Sequence, residues 1–202
     1  MPGTPGRPAA SLPAIILAAG ASRRLGRPKQ LVRLGGESLL RRTVRAALAC
    51  DPVLVVLGSQ AETMAADLAG LPVIQILNRD WKEGMASSIR AGIRALPAGA
   101  EAALFLVCDQ IAVDAALVDR LLQARQADPE AVVTCGYGGT RGTPSLFPAR
   151  CFPQLLELQG DRGARALLHI GPVVVVSFPE GVRDVDLPED LPGPGRPDPG
   201  ST

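Results

Sequence analysis

The stretch that decides the fold is AIILAAGASRRLGRPK, Ala14 to Lys29. It opens as a short apolar run and breaks at Gly20. Ala21, Ser22, Arg23, Arg24, Gly26, Arg27, Pro28 and Lys29 then make a small, polar and cationic loop. A strand buried on both faces needs no polar side, so the run Ala14 to Ala18 suits the interior of a parallel sheet. The loop leaves the carboxyl end of that strand, which is where open α/β sheets bind ligands. Gly20 and Gly26 let the backbone approach a ligand closely, and small Ala19 and Ala21 leave its N–H groups accessible. The clustered cations and the hydroxyl suit a polyphosphate.

Two phosphate loops can be tested against this stretch, and both fail. The Walker pattern wants four residues between its glycines and then Lys-Ser/Thr; five separate Gly20 from Gly26 here, and Arg27 follows. The dinucleotide fingerprint wants three glycines in a six-residue frame, and only Gly20 is available, which disfavours a Rossmann oxidoreductase. What remains, Leu17 to Lys29, is Leu-Ala-Ala-Gly-x-Ser-x-Arg-Leu-Gly-x-x-Lys. It resembles the signature loop of the MobA-like nucleotidyltransferases, most closely the molybdenum cofactor cytidylyltransferase branch. The resemblance implies nucleotide contacts from Leu17, Ala18, Ala19, Gly20, Ser22, Arg24 and Lys29, with Arg24 and Lys29 holding the triphosphate.

Composition sets the outer bounds. With 202 residues and 47% hydrophobic content the chain can bury one sizeable core. A net charge of +1 gives no basic surface for nucleic acid, and 3% aromatics leave few platforms for stacked bases. No apolar run reaches the ~20 residues of a membrane helix. Cys50, Cys108, Cys135 and Cys151 are widely spaced and form no metal-type pair, so free thiols and a cytoplasmic setting are expected. Residues 1–12 and 192–202, rich in Pro and Gly, are expected to be a disordered leader and tail around a single domain at 13–191.

Between these ends strand and helix signals alternate. Leu39 to Leu48 has helical spacing with Arg41, Arg42 and Arg45 on the wet face. Val53 to Leu57, Val73 to Leu77, Ala102 to Cys108, Ala131 to Cys135, Val173 to Ser177 and Val182 to Val185 are predicted strands. Gln60 to Ala69 and Val113 to Ala127 are predicted helices, and Gly138-Gly139 a turn before the apolar run Ser145 to Phe147. The resemblance implies a Rossmann-like three-layer α/β/α sandwich with a mostly parallel sheet.

Further motifs follow the loop in order. Asn78-Arg79-Asp80-Trp81 precedes Gly84-Met85-Ala86-Ser87-Ser88, and small hydroxylated residues at a helix start make an anion or ligand cradle. The family places nucleotide contacts on this turn, which assigns them to Asn78 and Ser88; Trp81 is expected to pack. The strand Ala102 to Cys108 ends in Asp109-Gln110, on the ligand side of the sheet. A carboxylate buried there wants a partner, and a hard cation is the expected one. The resemblance gives Asp109 the role of holding Mg²⁺ (or Mn²⁺) against the phosphates, though the family's usual Gln-Pro is Gln110-Ile111 here.

Arg141-Gly142-Thr143-Pro144 stands where the family commonly has Gly-His-Pro, in the part that receives the second substrate. A threonine there can donate a hydrogen bond but cannot become cationic. Gly160-Asp161-Arg162-Gly163-Ala164-Arg165 matches a Gly-Asp-x-Gly-Ala-Arg element; Asp161 is expected to cap a helix, and Arg165 to join Arg141, Gly142 and Thr143 in binding the acceptor. His169 sits in an apolar pattern and is expected to pack or to lie at the surface rather than to catalyse. Asp184 and Asp186 share a strand face by period two, and one of them, Asp186 before Asp184, is expected to complete the metal site opposite Asp109. The resemblance, spanning about residues 13 to 190, implies transfer of CMP from CTP to the phosphate of molybdopterin or molybdenum cofactor, with release of pyrophosphate. A molybdoenzyme apoprotein or its maturation factor is the implied protein partner; the alternatives are a nucleotidyltransferase of the same fold with another base or acceptor, and a non-catalytic carrier or maturation chaperone of the cofactor.

Overall fold

The apolar run before the cationic loop is strand β1 (Ala14–Leu17), buried in the middle of a seven-stranded sheet. The other members are β4 (Val53–Leu57), β5 (Ile74–Leu77), β6 (Ala102–Val107), β7 (Val132–Tyr137), β8 (Thr140–Pro148) and β9 (Val173–Ser177). A two-stranded hairpin, β2 (Arg33–Leu34) and β3 (Glu37–Ser38), stands apart from them. The helices are α1 (Leu39–Ala46), α2 (Ala61–Asp67), α3 (Met85–Arg94), α4 (Ala115–Ala127) and α5 (Phe152–Leu156). The computed structural model describes residues 12–22, 25–168 and 171–184. The expected leader, except Leu12, and the expected tail lie outside these residues, as does His169.

Strand order is β5-β4-β1-β6-β8-β7-β9, and β8 alone runs against the others. Both faces are covered, so the central strands read as unbroken apolar runs. Alternate residues divide between two cores. Ile16, Val55, Leu104 and Leu106 pack with Leu40 and Val44 of α1, Met64 of α2 and Leu117 and Leu121 of α4. Ile15, Leu54, Val56 and Phe105 pack with Ile89 and Ile93 of α3 and Leu155 of α5. Each such fully hidden side chain stabilises the fold by about 1.5–3 kcal/mol, so two-sided burial decides the architecture. The result is the three-layer α/β/α sandwich expected from the sequence.

Caps fix the helix starts. Ser38 accepts from the N–H of Arg41 at 3.1 Å at the head of α1, and Asp114 accepts from that of Leu117 at 2.8 Å at the head of α4. The β7–β8 register slips beside Thr134, where Gly142 pairs with Cys135 and Ser145 with Thr134. The Gly142 carbonyl there accepts from the buried hydroxyls of Thr134 (2.9 Å) and Ser145 (2.8 Å), so the bulge leaves no polar group stranded.

Two expectations fail locally. Val182 to Val185 is not a strand: Pro179–Val182 winds as a 3-10 turn, Asp184 forms an isolated antiparallel bridge to Gln110, and Val185 lies outside the described residues. Proline at the start of that segment presets helical φ and has no N–H for a ladder. Asp161 caps no helix either. The following element is a short 3-10 turn, Ala164–Leu167, entered from Gly163 without a side-chain cap.

Candidate active site

In the strand order, connections leave β1 to one side through β4 and lead from β6 to the other, so the sheet reverses direction between β1 and β6. Such a point leaves a crevice at the strand ends. A cleft of about 380 Å³ lies there. One side is Leu17, Ala19, Gly20, Ala21, Lys29 and Gln30; the other is Trp81, Lys82, Gly84, Met85 and Ser88. Val107, Cys108 and Asp109 form the end of β6 between them, and Asp161 closes the rim.

The cationic loop keeps its shape through Gln30, a residue that drew no attention in the sequence. Its side chain is buried, and Nε2 donates to the carbonyls of Ala18 (3.0 Å) and Gly20 (2.9 Å). The Ser22 hydroxyl donates to Gln30 Oε1 at 3.2 Å and accepts the Lys29 N–H at 3.0 Å. Of the expected nucleotide contacts, Leu17, Ala19, Gly20 and Lys29 line the cleft. Ala18 is buried, and Ser22 spends its hydroxyl inside the loop. Arg23 and Arg24 lie outside the described residues.

Lys29 Nζ forms an ion pair with Asp109 Oδ2, joining the loop to the end of β6. The other oxygen, Asp109 Oδ1, is buried and has no partner among the described residues. A hard carboxylate oxygen left this way is chemically suited to a divalent cation, so Asp109 fits the metal role. Asp186 lies outside the described residues. Among those described, no three His, Cys, Asp or Glu residues gather into a metal-sized group. Cys108 also borders the cleft; burial, with the neighbouring Asp109 charge, pushes its thiol up to about 12, which keeps the free thiol protonated at neutral pH.

The opposite wall is built on the start of α3. Asn78 is buried and donates to Ser87 Oγ (2.8 Å) and Ser88 Oγ (3.1 Å), while its Oδ1 accepts the Asp80 N–H (3.0 Å). Asn78 thus sits behind the serines, and Ser88 reaches the cleft. Gly58 permits close packing beside it. A Cβ there would lie 2.6 Å from the Trp81 Cβ and 2.8 Å from the Ala19 Cβ. Lys82 Nζ stands 5.8 Å from the Trp81 ring centre, close enough for a cation–π contact.

Of the expected acceptor residues, Arg165 donates to the Thr140 hydroxyl, which brings it beside Arg141 at the start of β8. Burial holds the Tyr137 phenol above its ordinary pKa, and the nearby Gln110 and Thr143 side chains pull it partly back. Gly142 is buried under that phenol: a Cβ there would lie 2.4 Å from its oxygen. Gln110 Oε1 is buried without a partner among the described residues. Tyr137 and Gln110 were not anticipated, because nothing in their local sequence links them.

Residues 14–177 match the family described as the MobA-like NTP transferase domain. The nicotine blue oxidoreductase of Paenarthrobacter nicotinovorans is 33% identical over 172 residues, covering 80% of this chain and 83% of that protein. The molybdenum cofactor guanylyltransferase of Rhodobacter capsulatus is 32% identical over 181 residues, covering 88% and 91%. Among solved structures, Rv0371c from Mycobacterium tuberculosis H37Rv superposes with a TM-score of 0.79 at 28% identity, covering 90% of this chain and 96% of that one. Rv0371c in complex with manganese gives 0.74 at 26% identity over the same shares. Among the described residues, no helix is long and apolar enough to cross a membrane.

Proposed function

We propose, given that this chain belongs to the MobA-like NTP transferase family, that it transfers CMP from CTP to the phosphate of molybdopterin or molybdenum cofactor, releasing pyrophosphate. The coarser statement, a nucleotidyltransferase of this family, is the premise; the base and the acceptor are the proposal. One observation carries it: a single cleft at the sheet's reversal point brings together Ala19, Gly20, Lys29, Ser88 and Asp109. In phosphoryl chemistry the protein mainly positions reactants and neutralises charge. Lys29 would hold the triphosphate, joined by Arg24. The loop would present its backbone to the base, with Gln30 keeping that backbone in place. A divalent cation, Mg²⁺ or Mn²⁺, would be held by Asp109, with Asp186 as second ligand, and would spread the charge developing at phosphorus. Arg141, Thr143 and Arg165 would meet the acceptor phosphate.

Cytidine is supported by Ala19, whose side chain fills space beside Trp81 on the cleft wall. A glycine there leaves a recess better suited to a purine. One methyl group discriminates by only about 1–3 kcal/mol, so other contacts share the selection. The test is a competition between equal CTP, GTP and ATP at saturating Mg²⁺, repeated on Ala19→Gly. Wild-type preference for CTP, reduced in the mutant, is expected; preference for GTP overturns the cytidyl assignment. The relative named as an oxidoreductase favours a second reading, redox chemistry on the same fold. Pyrophosphate release with unchanged NAD(P)H fluorescence on mixing rejects it.

A further inference from the structure

We propose that Asp161 binds the nucleoside part of the donor nucleotide, accepting a hydrogen bond from a base N–H or a ribose O–H. This rests on the nucleotide-transfer reading above. The carboxylate lies on the rim of the cleft, and among the described residues it makes no hydrogen bond or ion pair. It caps no helix, so the local fold does not use it.

Yet its loop is held firmly against the wall that carries Ser88. Gly160 accepts the Ala86 N–H at 3.0 Å and donates its own N–H to Glu83 Oε1 at 3.3 Å. Arg90 grips both sides of this junction, donating to Glu83 at 2.9 and 2.5 Å and to the Leu158 carbonyl at 2.5 Å. That ion pair holds the Glu83 carboxyl below its usual range. Gly84, at φ 125°, completes the fit: a Cβ there would lie 2.4 Å from Asp161 Oδ1 and 2.6 Å from the Gly160 carbonyl. The main chain has therefore given up a side chain at Gly84 so that an otherwise unemployed carboxylate can stand at the cleft.

The chemistry of the cleft narrows what that carboxylate meets. A phosphate would be repelled by it, and the cation that draws phosphate, Lys29, sits at Asp109 on the β6 side. No described group of three acidic or metal-ligating residues includes Asp161, so it is not part of a metal cluster there. A carboxylate is an acceptor only. The donors that a nucleoside triphosphate offers are its ribose hydroxyls and its base N–H groups: an exocyclic amine in cytosine, and an exocyclic amine beside the ring N1–H in guanine, whereas uracil presents an oxygen in place of the cytosine amine and keeps only its ring N3–H.

The test measures binding of CTP, GTP, UTP and dCTP with Mg²⁺ and no acceptor, by calorimetry, for the wild type, Asp161→Ala and Asp161→Asn. Thermal melts run alongside, and unchanged melting is expected because the carboxylate has no protein partner. Removing one charge-assisted hydrogen bond should weaken the preferred nucleotide about ten- to a hundred-fold in Asp161→Ala. A loss for CTP, GTP and dCTP but not UTP supports the base amine; a loss for the three ribonucleotides but not dCTP supports the ribose 2′-hydroxyl; and an equal loss for all four supports the group they share, the ribose 3′-hydroxyl. Equal affinity of all three proteins for every nucleotide overturns the proposal. If the wild type binds none of the four, the nucleotide-transfer reading fails and this inference falls with it.

Discussion

Replacing Gln30 by leucine tests how the loop is held. The side chains are of similar length, so the core loses little volume, but three hydrogen bonds disappear: to Ala18 O, to Gly20 O and from Ser22 Oγ. Each is worth about 0.5–1.5 kcal/mol net, and a buried carbonyl left unpaired costs about 1–3 kcal/mol. Allowing for relaxation of the exposed Gly20 side of the loop, the loss should total about 2–4 kcal/mol. For a domain of this size that lowers the melting temperature by about 5–15 °C. Nucleotide affinity should fall as well, because the backbone at Ala19 and Gly20 is no longer fixed. Gln30→Glu should be worse, since it turns an acceptor toward two carbonyl oxygens. The assays are urea unfolding and titration with CTP. A leucine variant within about 0.5 kcal/mol of wild type and with unchanged affinity would refute the reasoning.

Other perturbations separate the remaining roles. Asp109→Asn should abolish turnover, measured as pyrophosphate release, with the fold intact by circular dichroism; near wild-type activity would remove it from the reaction. Asp186→Asn should impair turnover more than Asp184→Asn, and the reverse order would move the second ligand to Asp184. Lys29→Ala and Arg24→Ala should each weaken CTP binding, and unchanged affinity in both would make the loop a surface feature. Burial pushes the thiols of Cys50, Cys108 and Cys135 up to about 12 from 9.0. These groups therefore stay protonated in the native state, and stability should fall once pH rises above about 9, where unfolded thiols ionise first. Iodoacetamide at pH 8 should label them in urea but not in the folded protein; native labelling of all three would contradict their burial.

Much of the sheet could be read from the sequence because burial on two faces demands unbroken apolar runs. Ala14 to Ala18, Val53 to Leu57 and Ala102 to Cys108 meet that demand openly. Hairpin β2–β3 and helix α5 were not legible: two-residue strands and a five-residue helix are too short for a period to emerge. In the cleft, Lys29 and Asp109 were legible because charges at a strand end need an explanation. Gln30 was not, since its partners are main-chain carbonyls 10 and 12 residues back and any backbone offers those. The capping role read for Asp161 failed for a related reason. A carboxylate before Gly-Ala-Arg looks like a cap unless one knows that α3 lies against the other side of the loop.

The reversal of β8 has a consequence for how such a protein can change. At the functional edge most parallel strands hand over to segments that must travel back beneath the sheet before the next strand begins. Between β7 and β8 the chain merely turns at Gly138-Gly139, so Thr140 to Thr143 arrive at that edge directly. Lengthening this turn would shift no core residue, and extra loop residues cost folding little, since closure entropy grows only logarithmically with length. The rim beside the cleft can therefore be remodelled by insertion while the nucleotide-side wall stays as it is.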